Sequence, residues 1–121
     1  MSFADALSRA ARHNPAWQVC VLYREDPQGD MRMPGGLRYA RTRTVRAVVD
    51  SRPREDARGV LQGHDLTTHR LTVAVDALED REAIALVGTR WFVLREAVGG
   101  DGFGATVTVD AALCTDALVP V

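Results

Sequence analysis

The chain contains no lysine: all 15 basic residues are arginine, scattered from Arg9 to Arg95. That dispersal reads as the mark of a GC-rich genome, not of one functional patch. Sixteen acidic residues offset them to a formal net charge of −1 and a sequence pI near 6.3. A global basic field for nucleic acid is therefore excluded. Cysteine is almost absent too. Cys20 and Cys114 lie far apart in sequence, in neither a Cys-x-x-Cys pair nor a framework of four or more, which excludes a disulfide scaffold and points to reduced thiols in a cytoplasmic setting. No run approaches the ~20 apolar residues of a membrane span. The opening "MSFADALSRAARHN" is amphipathic and has no apolar core of a signal peptide.

What is present is ordinary for a globular protein: 121 residues, 46% hydrophobic and 26% charged. That length fits one domain, 1–121, able to bury roughly two-thirds of its unfolded surface. Residues 2–13 predict a short N-terminal helix. Ser2 and Asp5 have capping-box spacing, and Phe3, Ala6, Leu7, Ala10 and Ala11 share one apolar face. Asn14-Pro15 stops it.

After Pro15 the apolar period becomes two. Trp17–Arg24 puts Val19, Val21 and Tyr23 on one face; Thr44–Asp50 aligns Val45, Ala47 and Val49. Arg70–Asp76 aligns Leu71, Val73 and Val75, and Ala105–Asp110 aligns Val107 and Val109. "AIALVGTRWFVL" (Ala83–Leu94) predicts a hairpin turning at Gly88-Thr89, since Gly at the first central position suits a type II′ turn. A two-residue loop sets Ile84 opposite Val93, Ala85 opposite Phe92, Leu86 opposite Trp91 and Val87 opposite Arg90. One face then carries Ala85, Val87, Phe92 and Leu94, the other Ile84, Leu86, Trp91 and Val93. Both are apolar. One meets the core, and the other needs a cover: the N-terminal helix, a second sheet or another subunit.

These patterns predict a mainly β chain of about six strands, a small antiparallel sandwich or partly open barrel with a short leading helix. The β core spans 17–110. Glu25–Arg41 and Ser51–His69 read as long irregular loops, unusual unless functional or disordered. "AVGGDGFG" (Ala97–Gly104) reads as a flexible hairpin connection, and 111–121 as a tail with little signal beyond an apolar tip.

No catalytic set is legible, so the chain reads as a non-enzyme with no cofactor and no metal. His64, Asp65 and His69 have no known ligand spacing and read as a polar loop. Cys20 sits mid-strand without an activating neighbour and reads as a buried, inert thiol. "GGDGFG" joins two strands and offers no helix N-terminus to an anion. The carboxylates of Asp76–Glu82 fall on an expected exposed connection, without the apolar pocket that would split their pKa values. The arginines are denser at 32–58: Arg32, Arg38, Arg41, Arg43, Arg46, Arg52, Arg54 and Arg58, interleaved with Met31, Met33 and Tyr39. Solvated loops, an interface anchor and a nucleic-acid groove all remain open readings of this set.

The order of elements resembles the head–tail joining (head-completion, tail-attachment) proteins of long-tailed bacteriophages and prophages. The similarity lies in a short helix, a strand, a long glycine-rich loop, "VRAVVD", a charged excursion, "RLTVAVDAL" and the hairpin "AIALVGTRWFVLREA" before a last strand. Gly88 stands at the family's hairpin turn, with Trp91 and Phe92 in its aromatic strand. Asp80-Arg81-Glu82 replaces the family's Gly-Asp step.

The resemblance implies a structural protein of the neck, with a barrel or sandwich core, that joins the DNA-filled head to the tail. It implies a homo-oligomeric ring, formed in the host bacterial cytoplasm and retained in the virion neck. Its neighbours would be a portal or adaptor protein and a tail-terminator protein, with non-specific contact to genomic DNA as a further option and no membrane. By position, Met31, Arg32, Met33, Leu37, Arg38, Tyr39, Arg41 and Arg43 would form the interaction loop. Phe3, Leu7, Ile84, Leu86, Trp91 and Val93 would form an assembly surface. The alternative is a small β-barrel that binds nucleic acid through Tyr39, Arg41, Arg43 and Arg46.

Overall fold

Strand after strand pairs antiparallel until the sheet meets itself. The computed structural model describes residues 16–34, 36–51, 67–100 and 104–121. Its elements are β1 (Gln18–Glu25), β2 (Met31–Arg32), β3 (Arg38–Ser51), β4 (His69–Val73), β5 (Glu82–Val87), β6 (Arg90–Gly100), β7 (Val107–Leu113) and β8 (Val119–Pro120). The hydrogen-bonded order β1-β5-β6-β7-β4-β3 closes because β3 also pairs with β1. The result is a closed six-stranded barrel, not a sandwich or a partly open barrel. β2 and β8 extend it as a small ribbon beside the start of β3. Closure removes the free sheet edges that an open barrel would leave. The expected helix at 2–13 lies outside the described residues.

Alternation fills the barrel. Cys20, Leu22, Ala47, Leu71, Val73, Ala85, Val87, Phe92, Val109 and Ala111 form the buried core. Large and small side chains mix, as the narrow interior of a small barrel requires. In β1 the core positions are Cys20 and Leu22, so the face shared by Val19, Val21 and Tyr23 is the outer one.

The β5–β6 hairpin has the register that its turn dictates: Ile84 faces Val93, Ala85 faces Phe92, Leu86 faces Trp91 and Val87 faces Arg90. Gly88 has φ +62°, as the first central residue of a type II′ turn must.

Glu25–Arg41 is not an irregular loop. β1 runs to Glu25, β3 starts at Arg38, and β2 lies between them. The Gln28 N–H donates to Asp26 Oδ1 at 2.9 Å and the Gly29 N–H to the Asp26 carbonyl at 2.9 Å, forming a tight turn. A Cβ on Gly29 would fall on the backbone of Tyr39, so only glycine lets the two segments come this close. The segment 111–121 is likewise more than a tail. β7 continues to Leu113, Leu118 is buried, and β8 pairs with β2. Of the second expected loop, Ser51 belongs to β3 and His69 to β4, while 52–66 lie outside the described residues. β6 extends through the expected connection as far as Gly100. Among the described residues no helix is long and apolar enough to cross a membrane.

Candidate assembly surface

Outside the barrel wall lies a second apolar cluster. Tyr23, Tyr39, Ile84 and Leu118 are its buried members, and Val21, Met31, Met33, Ala83, Leu86, Trp91 and Val93 pack half-buried around them. The outer face of the hairpin supplies Ile84, Leu86, Trp91 and Val93. Tyr23 of β1 tilts against Trp91, ring centroids 5.5 Å apart at 45°, a favourable aromatic geometry.

Two residue sets that the sequence keeps apart thus meet in one surface: Met31, Met33 and Tyr39 from 25–41, and Ile84, Leu86, Trp91 and Val93 from the hairpin. The expected covers were a helix, a second sheet or a subunit. Among the described residues the cover is instead the ribbon β2–β8 with Leu118. Phe3 and Leu7 lie outside the described residues. Tyr39 is 6% exposed. Burial, then the charge of Glu25 and the Cys114 thiol, push its hydroxyl above the usual tyrosine range.

The remaining residues of the interaction-loop set are dispersed. Arg32 is exposed and Leu37 is 56% exposed. Arg38 Nε donates to the Gly29 carbonyl at 2.7 Å, clamping the turn, and Arg41 Nη2 donates to Thr44 Oγ1 at 2.6 Å. Glu25, Pro27, Gly36, Leu37 and Arg38 line an open cavity of about 300 Å³.

Arg43 serves a different purpose. A β-bulge places Thr42 as the extra residue of β3 against β1, between the pairs Leu22–Arg43 and Tyr23–Arg41. A second bulge makes Ala83 the extra residue of β5, between Tyr23–Ile84 and Arg24–Glu82. The slips turn Glu82 to the inner side, toward Arg43 at one mouth of the barrel. Glu82 accepts from Arg43 Nη2 at 2.8 Å and Nε at 3.2 Å, from the Thr42 hydroxyl at 2.6 Å and from the Glu79 N–H at 2.6 Å. Arg43 also donates to the Ala77 carbonyl at 2.8 Å. Burial favours the neutral acid, but the hydrogen bonds from Arg43, Thr42 and Glu79 outweigh it and hold the Glu82 carboxyl below the usual range. The carboxylates of 76–82 therefore do not all lie on an exposed connection.

At the opposite mouth His69 meets the Phe92 ring edge-on, centroids 5.3 Å apart, with Nδ1 2.8 Å from Thr68 Oγ1. Burial and the neighbouring Arg90 charge lower the pKa of His69. His64 and Asp65 lie outside the described residues. Among the described residues, no three His, Cys, Asp or Glu side chains group as metal ligands. Cys20 is fully buried, and its thiol is pushed up to about 12 by burial and then by the charge of Glu82. No family model matches the chain, and no curated protein matches it either.

Sequence reasoning missed Glu82, Thr42 and Leu118. A bulge has no fixed sequence signal, so Glu82 read only as one carboxylate of an exposed connection. Leu118 gave one cue, an aliphatic residue ahead of a short Val-Pro-Val end.

Proposed function

We propose that this chain is a structural assembly protein of a phage or prophage neck. It acts by ring formation between the portal or adaptor at the DNA-filled head and the terminator protein of the tail, assembling in the bacterial host. The observation that carries this reading is the apolar cluster outside a barrel that is already closed. The interior core satisfies the barrel on its own, so an outer face built of Val21, Leu86, Trp91, Val93, Met31 and Met33 has no role in closing it. These side chains stay only half-buried beside the β2–β8 ribbon, and apolar surface that carries a tryptophan and two methionines fits protein–protein docking. The order of elements that resembles head–tail joining proteins, with the barrel core that resemblance implies, supplies the particular setting.

The nucleic-acid alternative loses support from geometry. Of Tyr39, Arg41, Arg43 and Arg46, Tyr39 is buried and Arg43 is bound to Glu82. Particle mass, measured alone and with a portal or adaptor protein, tests the assembly reading, together with oligonucleotide binding at low and high salt. Ring formation with the partner is the expected result. Tight, steeply salt-dependent binding of free DNA by a chain that never assembles would overturn it.

A further inference from the structure

The segment that follows β7 is attached to its own barrel by little. The Cys114 N–H donates to the Trp91 carbonyl at 2.8 Å, the last such bond of the barrel wall. Thr115, Asp116 and Ala117 are then all exposed. Beyond them Leu118 inserts between Tyr23, Tyr39 and Ile84 and is 4% exposed. β8 pairs with β2 only through Arg32–Val119 and Met31–Pro120, and the Val121 N–H reaches the Asp30 carbonyl at 2.9 Å. Among the described residues, the attachment consists of one anchoring side chain, a two-pair strand contact and one further backbone bond, reached through an exposed hinge.

A groove that receives an extended segment in this way is a strand-acceptor site. Backbone pairing gives it binding strength and a side-chain pocket gives it selectivity. We propose that its occupant in the assembled state is the Thr115–Val121 segment of a second copy of this chain, exchanged across the exposed hinge. The groove is already complementary to that segment, because it holds the same residues from its own chain. Exchange therefore requires no new contact, only a redirected hinge, which makes swapping a low-cost route to oligomers. The exchange runs head to tail, each copy giving one segment and receiving another, and such an arrangement closes into a ring when the rotation permits. The purpose rests on the assembly reading above. The exchange itself does not.

The test uses full-length chains with Cys114→Ser. One carries Arg32→Cys and the other Val119→Cys, at positions that face each other across β2 and β8 and are both exposed. Mixed at high concentration and oxidised, they are expected to form a disulfide between chains faster than either variant alone. A double variant carrying both cysteines is expected to shift from closure within one chain to cross-links between chains as concentration rises. Deleting Thr115 and Asp116 shortens the hinge and is expected to convert the folded chain to dimers or larger species. Exclusive closure within one chain at every concentration, with no faster cross-linking in the mixture, overturns the proposal. Rings that form without cross-links would sink the exchange and leave the neck reading standing. Cross-links without rings would do the reverse.

Discussion

The carboxylate of Glu82, with no side-chain exposure, is gripped at 2.8 and 3.2 Å by the single guanidinium of Arg43, itself 26% exposed. Two bulges on two strands are needed to bring them together, and the pair occupies a barrel mouth where an apolar layer would otherwise sit. Removing one partner leaves the other charge uncompensated. Arg43→Ala is expected to cost about 3 kcal/mol in urea unfolding at neutral pH, the lower end for broken buried pairs because water reaches Arg43.

The same pair gives the barrel an acid limit. Glu82 has a folded-state pKa below its ordinary 4.5, so its contribution is complete above that value and is lost as pH falls through the folded value. Unfolding free energy of the wild-type chain should therefore drop as pH falls below 4.5. In Arg43→Ala the buried carboxyl is easier to protonate, and that drop should shrink or reverse. Equal acid sensitivity in the two chains would show that Glu82 does not carry this dependence.

The hairpin was fully legible and the barrel mouth was not, for one physical reason. Gly88-Thr89 fixes a two-residue loop, the loop fixes register, and register fixes which of Ala85 or Leu86 faces inward. Thr42 and Ala83 each insert one residue, reversing the faces beyond them, and no residue type there announces it. Closure was hidden for a related reason. It depends on β3, long enough to pair with β1 at one end and β4 at the other, whereas alternation showed only its second half. The two sites of greasy surface, 31–39 and 84–93, were each visible as composition. Their union depends on β2 folding back along β3, and Gly29 allows that.

Gly29 and Gly88 are predicted to tolerate substitution differently. Gly29→Ala drives a methyl into the Tyr39 backbone, where no side chain can yield. It should cost about 3 kcal/mol, the upper end of the range for overpacking, and release β2 and β8 from the outer cluster. At Gly88 the obstacle is φ +62° and one flexible atom, Gln18 Oε1 at 3.0 Å. Gly88→Asn is therefore strained by the turn itself and should cost about 1–2 kcal/mol, leaving the outer cluster in place. Both losses are read by thermal unfolding, and a hydrophobic dye separates the cases: it should bind folded Gly29→Ala more than wild type and Gly88→Asn no more than wild type, and the reverse would contradict the packing described.

The two thiols should differ in reactivity. Cys20 is fully buried with its thiol pushed up to about 12. Cys114 is half-buried, and its thiol is raised by burial but held back by a backbone hydrogen bond at Val93. Because the thiolate is the reactive form, iodoacetamide at about pH 8 should label Cys114 slowly and Cys20 only when the barrel opens. Mass spectrometry of the folded chain should thus find one alkylated cysteine, and two after urea. Labelling of Cys20 at the rate of Cys114 in the folded chain would mean that the β1–β5 wall opens far more often than a closed barrel allows.

Leu118 and Phe92 anchor clusters on opposite sides of the barrel wall, so their truncations should behave independently. Phe92→Ala empties the largest fully buried site and is expected to cost about 3–5 kcal/mol. Leu118→Ala removes a similar class of contact from the outer cluster and should cost about 2–3 kcal/mol, exposing Tyr23 and Ile84 while the barrel stays closed. A hydrophobic dye should therefore bind folded Leu118→Ala more than wild type. The double variant should lose the sum of the two costs within about 0.5 kcal/mol, as sites without shared partners do. Strong non-additivity would mean that the outer cluster and the barrel core fold as one body, and the segment carrying Leu118 could then not detach while the barrel persists.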